Sequence, residues 1–204
     1  MNRAIVVTVF LLLTALPHPA QGQKPINQQV FKAQGSNVNT FLQGVSVNGI
    51  GNGVFLEVFQ DQQTGQTSLL LHVFSFFSGN NHTEYFLSGV IPSSDFVIAS
   101  DLSSATLNTT INTSPGQFDD PDIGAIQGLV IDLTWSPNAS GHRVVHSTFS
   151  SGIPGHINFS ETFHQNGKQA FGPMSGTFGT FDIDLFGELN ENRSIDIVRT
   201  FLKP

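Results

Sequence analysis

Leu129-Val130-Ile131-Asp132-Leu133-Thr134-Trp135 carries a large apolar residue at every odd position. In an extended chain Leu129, Ile131, Leu133 and Trp135 share one side, while Asp132 and Thr134 take the other. A period of two over this length marks a strand with one face buried. Phe181, Ile183 and Leu185 repeat the pattern, with Asp182 and Asp184 facing out. Short apolar runs of the same kind, bounded by Gly, Asn, Pro or Ser, fill the rest of the chain. They predict strands at Val54–Gln60, Ser68–Phe77, Glu84–Ile91, Phe96–Ala99, Ala105–Ile111, Arg143–Ser150, Ile157–Phe163, Ala170–Phe178 and Ser194–Phe201. No window carries apolar residues at helical spacing.

The connections are short and rich in turn formers: Gln63-Thr64-Gly65, Ser78-Gly79-Asn80-Asn81, Pro137-Asn138-Ala139-Ser140-Gly141 and Gly152-Ile153-Pro154-Gly155. Asn166-Gly167 carries the strongest two-residue hairpin signal. Strands joined this way run antiparallel, because parallel neighbours need long crossovers. The expected fold is all-β: a mainly antiparallel meander of about ten strands with little helix, closing into a β-sandwich or a β-barrel. Ser114 to Gly124, the longest break, reads as a surface loop within one domain.

The amino terminus has the layout of a secretory signal peptide. Arg3 precedes an uncharged apolar run from Ala4 to Leu16, and Ala20 and Gly22 supply small residues for cleavage. The run is short against the ~20 residues that cross a bilayer. Cleavage is expected after Gly22, with Ala20 as the other position, which makes residues 1–22 a signal peptide and 23–204 a single β domain. Export normally allows disulfides, yet the chain has no cysteine, so apolar burial and backbone ladders must hold it together. Hydrophobic residues make up 39% and charged residues 11%, which favours a compact fold over disorder. The net charge is −7. An acidic, lysine-poor surface disfavours nucleic acid and anionic membrane as partners.

Ser104-Ala105-Thr106-Leu107, the strand ending Leu133-Thr134-Trp135, Asn166-Gly167 with Gln169-Ala170, and Ser175-Gly176-Thr177 are short motifs of structural character and modest specificity that follow one another along the chain. From about Leu102 onward, and more faintly before it, the chain resembles a group of exported bacterial all-β proteins with no assigned activity. The resemblance implies an exported bacterial β domain and transfers no ligand or catalytic residue. Members often carry Arg where this chain has Lys168.

Candidate chemistry is sparse. His142 and His146 are four apart, but on a strand that is about 13 Å, too far for one metal ion without other segments. His72, His82, His156 and His164 are scattered. Asp119, Asp120 and Asp122 could offer oxygen ligands to calcium, yet the spacing lacks the glycine and terminal glutamate of an EF-hand loop. Asp182 and Asp184 would stand about 7 Å apart on one strand face, a separation any alternating strand produces. Gly172-Pro173-Met174-Ser175-Gly176 misplaces the serine of a nucleophile elbow. Gly49-Ile50-Gly51-Asn52-Gly53 leads into a strand and reads as a turn. No catalytic, cofactor-binding or metal residue is therefore assigned.

Phenylalanine stands out: 19 Phe against one Trp and one Tyr. Its ring has no polar handle, so Phe55, Phe59, Phe74, Phe76, Phe77, Phe159 and Phe163 are expected in the core. Six N-x-S/T sequons begin at Asn81, Asn108, Asn112, Asn138, Asn158 and Asn192, read as unmodified polar positions given the bacterial resemblance. The functional expectation is a non-catalytic exported β domain with an envelope, matrix or interaction role. The alternatives are a barrel that holds an apolar small molecule and a hydrolase with residues gathered from separate strands.

Overall fold

The computed structural model describes residues 28–76, 82–112, 123–151 and 158–202. The expected signal peptide, residues 1–22, and the aspartates at 119, 120 and 122 lie outside them. Ten strands follow in order: β1 (Gln28–Gln43), β2 (Gly53–Asp61), β3 (Thr67–Phe76), β4 (His82–Ile91), β5 (Phe96–Ile98), β6 (Ala105–Ile111), β7 (Leu129–Trp135), β8 (Ser140–Ser151), β9 (Asn158–Phe178) and β10 (Phe181–Leu202). Among the described residues the helical content is one 3₁₀ turn, Ser93–Asp95.

All ten strands join one antiparallel sheet in the order β4-β3-β2-β1-β10-β9-β7-β6-β5, and β8 pairs with β9 off this path. The connectivity forces the sheet to curl. From β4 to β5 lie eight strand spacings, about 38 Å if the sheet were flat. Residues 91 to 96 can reach across at most about 19 Å. The sheet therefore bends into a half-barrel that brings its two edges together. The expected all-β antiparallel architecture is present, in the curled form.

The concave face holds the main core. Val38 and Leu42 of β1, Val54, Leu56 and Val58 of β2, Leu69, Leu71 and Val73 of β3, and Ile131, Leu133 and Trp135 of β7 all point into it. Leu87 of β4 and Phe96 of β5, from opposite edges, enter the same cluster. Trp135, Phe96 and Phe178 fill the middle, so the half-barrel is packed rather than hollow.

Two strands are longer than the sequence reading expects. The predicted segments 157–163 and 170–178 fuse into β9, and 181–185 and 194–201 fuse into β10. Asn166-Gly167 is no hairpin; it sits in mid-strand, with Gly167 opposite Arg143 on one side and Asn192 on the other. Pairing on both flanks overrides a turn preference that acts only locally. Glycine is needed there for close approach, since a Cβ on Gly167 would lie 1.8 Å from the Glu191 carbonyl oxygen. The reversal between β9 and β10 is made instead by Gly179-Thr180, with Gly179 at φ 57°. β1 is also unforeseen: its Asn and Gln residues hide Ala33, Val38 and Leu42, and a bulge shifts its register between Ala33 and Gly35.

β9 forks the sheet. Its first part pairs with β8 and its last part, through residues 174–178, with β7. The carboxyl-terminal part of β10, the start of β1, β8 and the start of β9 thus extend the half-barrel as a four-stranded arm. A second small cluster anchors it, where Ala33, Ile195 and Ile197 pack against Phe59 with Phe163 beside them.

Candidate functional site: the outer face of the sheet

The convex face is not simply polar. On β2 the residues turned away from the core are Phe55, Glu57 and Phe59, interleaved with Val54, Leu56 and Val58. Register then builds a row of rings. Phe86 of β4 stands opposite His72 of β3, His72 opposite Phe55 of β2, and Phe55 opposite Phe41 of β1. The hydroxyl of Thr40 donates to the carbonyl of Phe186 at 3.2 Å, which brings β10 alongside and continues the row to Phe186. Pro173 of β9 lies opposite Phe186.

The rings touch. His72 stacks on Phe86 with centroids 3.9 Å apart and planes at 19°, and lies 3.9 Å from Phe74. Phe41 meets Phe74 edge-on at 5.8 Å. The imidazole Nε2 of His72 lies 3.2 Å from Oε2 of Glu84. Burial among the rings lowers the His72 pKa, and Glu84 opposes that shift. The row is nonetheless surface: Phe41 is 44% exposed, Phe86 48% and Phe186 76%, and Phe171, opposite Glu188 on β9, is 60% exposed. A continuous apolar strip of this kind is unusual on a water-facing sheet and marks a contact surface.

Next to the rings runs a polar seam whose members lie far apart along the chain. Asn39 of β1 separates Glu57 of β2 from Glu188 of β10 in register, which sets the two acidic residues about 10 Å apart at the backbone. Arg143 reaches from β8 across Gly167 and donates through Nη1 to Oε1 of Glu188 and, at 3.1 Å, to Oδ1 of Asn190. Asn190 Nδ2 donates to the same Glu188 oxygen at 2.9 Å. Further along, Gln165 donates to Asn192, and Asn192 donates to Asn37 at 2.7 Å. Glu57 is 3% exposed; burial first, and then the charge of Glu188, push its pKa up to about 8. At neutral pH it is a buried, protonated acid.

The residues singled out from sequence do not converge. His146 faces His164 across β8 and β9 with ring centroids 6.3 Å apart, whereas His142 stands opposite Lys168. Among the described residues no three His, Asp or Glu side chains gather as a metal site. Asp182 and Asp184 lie on β10 opposite Thr177 and Ser175, exposed. Gly172 to Gly176 is mid-strand in β9, and Gly49 and Gly51 form the expected turn with positive φ. Of the sequons, Asn192 is 2% exposed and bonded at both ends of its amide, which leaves no room for a glycan. The expectation that phenylalanine fills the core fails for most of the residues named. Phe59 is buried in the second cluster, Phe55, Phe74 and Phe163 are half-buried on the outer side, and the side chains of Phe76, Phe77 and Phe159 lie outside the described residues.

Concavities are shallow. One of about 290 Å³ opens at an end of the half-barrel between Asn48, Ile126 and Phe181. Another of about 520 Å³ lies where β8 begins, bordered by Asn138, His142, Gln169 and Phe171. It adjoins the ring row through Phe171. Among the described residues no helix is long and apolar enough to cross a membrane. No family model matches the chain, and neither a curated protein nor a solved structure does.

Proposed function

We propose that the chain is an exported, non-catalytic binding domain of a bacterial envelope or matrix, and that it engages its partner through the outer face of the sheet. The observation that carries this reading is the row of rings running from Phe86 through His72 and Phe55 to Phe41, in register across β4, β3, β2 and β1, with Phe186 alongside on β10 and Phe171 exposed opposite Glu188 on β9. A rigid sheet presents them without further ordering, so little conformational entropy opposes contact. The interior supports the same assignment. Trp135, Phe96 and Phe178 occupy the space a barrel-held ligand would need, which leaves the outer face as the available apolar surface. The two acids beside the rings are engaged, Glu57 by burial and Glu188 by Arg143 and Asn190. The net charge of −7 favours a neutral or cationic partner over an anionic one.

Co-sedimentation of the purified protein with insoluble envelope and matrix material tests the reading. The wild type should be retained, and a Phe41→Ser/Phe186→Ser variant should bind at least about tenfold more weakly, since buried rings dominate such contacts. Both positions are exposed, so the fold should tolerate the change. Undiminished binding by the variant would remove the outer face as the site. Substrate turnover that disappears in Glu188→Gln would overturn the non-catalytic part.

A further inference from the structure

The arm carries a row of imidazoles and charges on the face opposite its small apolar cluster. Ile195 and Ile197 of β10 point into that cluster, so Asp196 between them points the other way. Register then sets His146 of β8 opposite His164 of β9, His164 opposite Asp196, and Asp196 opposite Lys32 of β1. Directly paired residues on neighbouring strands share a face, so the four side chains stand in line. β8 pairs with β9 from Ser140 to Ser151 without a register shift, which fixes the two histidine backbones relative to each other.

The two imidazoles are within chelating distance. Their ring centroids lie 6.3 Å apart with planes at 59°. Two imidazoles that each give one nitrogen to a single ion at ~2 Å hold their centroids about 5 to 6.5 Å apart, depending on the angle at the metal. Side-chain rotation alone therefore brings both onto one ion, with no movement of the strands. His142 and His146 are the opposite case, kept about 13 Å apart by the rise of one strand. We propose that His146 and His164 form a two-histidine clamp across β8 and β9 for a late first-row divalent transition-metal ion, zinc or copper.

The donor set selects the class of ion. Neutral imidazole suits zinc, copper and nickel, whereas calcium and magnesium take oxygen ligands. Among the described residues no third His, Asp or Glu completes a ligand set, so water fills the remaining positions. His146 is exposed and His164 half-buried, which leaves the pair open to an ion arriving from solvent. Asp196 is the positioning residue. It stands on the far side of His164, where its carboxylate accepts the N–H that the metal leaves free, an arrangement that commonly orients ligating histidines. Lys32 Nζ lies 3.6 Å from Asp196 Oδ1 on the next strand and closes the row. The net charge of −7 favours the approach of a cation. No residue of the ring row takes part, so metal binding is independent of what the outer face binds.

Isothermal titration of the purified protein, without a histidine tag, with zinc and with copper at about pH 7.5 tests it. One equivalent of either ion should bind in the micromolar range, copper the more tightly, and calcium and magnesium should not compete. Copper EPR should show two bound imidazole nitrogens. His146→Ala and His164→Ala should each weaken binding at least about tenfold, because one of two protein ligands is lost. Asp196→Asn should weaken it about tenfold while both nitrogens remain on the copper. His142→Ala should leave it unchanged. Should His164→Ala fail to fold, His146→Ala decides, since that side chain is exposed and circular dichroism should not change. A wild type that binds neither ion, binding that survives His146→Ala, or a loss on His142→Ala would each overturn the proposal. Unchanged affinity in Asp196→Asn would remove Asp196 from it.

Discussion

Glu57 sits between Asn39 of β1 and Leu70 of β3, on a face where a charged side chain would ordinarily reach water. Here it is 3% exposed, and burial with the charge of Glu188 raises its pKa from an ordinary 4.5 to about 8. The folded protein thus holds a proton that the unfolded chain releases near pH 4.5. Its contribution is fully present below that pH, declines as pH rises from 4.5 towards 8, and levels off above. The loss between pH 5 and pH 8 amounts to about 3 kcal/mol. Glu57→Gln keeps the shape and removes the titration, so urea unfolding of the variant should lack this decline and show greater stability at pH 8. A decline of the same size in the variant would mean that Glu57 is ionised in the fold, or that the dependence arises elsewhere.

Among the elements, β9 shows best what the sequence makes legible and what it hides. Its two apolar ends, 157–163 and 170–178, announce themselves by alternation, as does β7 with the boundaries Leu129–Trp135. The join between them does not, because Asn166-Gly167 is read locally as a turn while β8 and β10 fix it as strand. Gly167→Ala should therefore push β9 and β10 apart at Glu191 and destabilise by about 2–4 kcal/mol. Gly141→Ala, with open space where the Cβ would fall, should change stability by less than about 0.5 kcal/mol. Equal effects at the two glycines, measured by urea unfolding, would show that close approach is not the reason for Gly167. The same limit explains the site. Alternation tells that Val54, Leu56 and Val58 share one face and Phe55, Glu57 and Phe59 the other, but both sets are largely apolar. Which one faces inward depends on the direction in which the sheet curls, a property of the whole sheet that the alternation within β2 does not carry. The aliphatic set went inside, and the rings were left outside as a surface. The polar seam was less legible still, since Arg143, Glu188 and Asn37 meet only through register across β8, β9, β10 and β1.

At the scale of the whole molecule, β10 belongs to two packed regions at once. Ile183 and Leu189 enter the large core of the half-barrel, while Ile195 and Ile197, beyond the bulge at Asn192 and Ser194, enter the small cluster under the arm. Local stability follows local burial, so the two regions need not open together. The arm rests on four buried residues, with Phe163 half-buried beside them. The half-barrel rests on a core drawn from nine strands, including Trp135 and Phe178 at full burial. The arm should therefore open at lower free energy, with the bulge as the boundary. Native-state hydrogen exchange should show amides near Phe163 and Ile197 released before those at Ile131 to Leu133 and Ile183 to Leu189. Ile197→Ala should then lower the opening free energy of the arm by about 2–4 kcal/mol and leave protection in the half-barrel unchanged. If protection in both regions fell by the same amount, the long strands would be transmitting the loss through the bulge, and arm and half-barrel would form one cooperative unit.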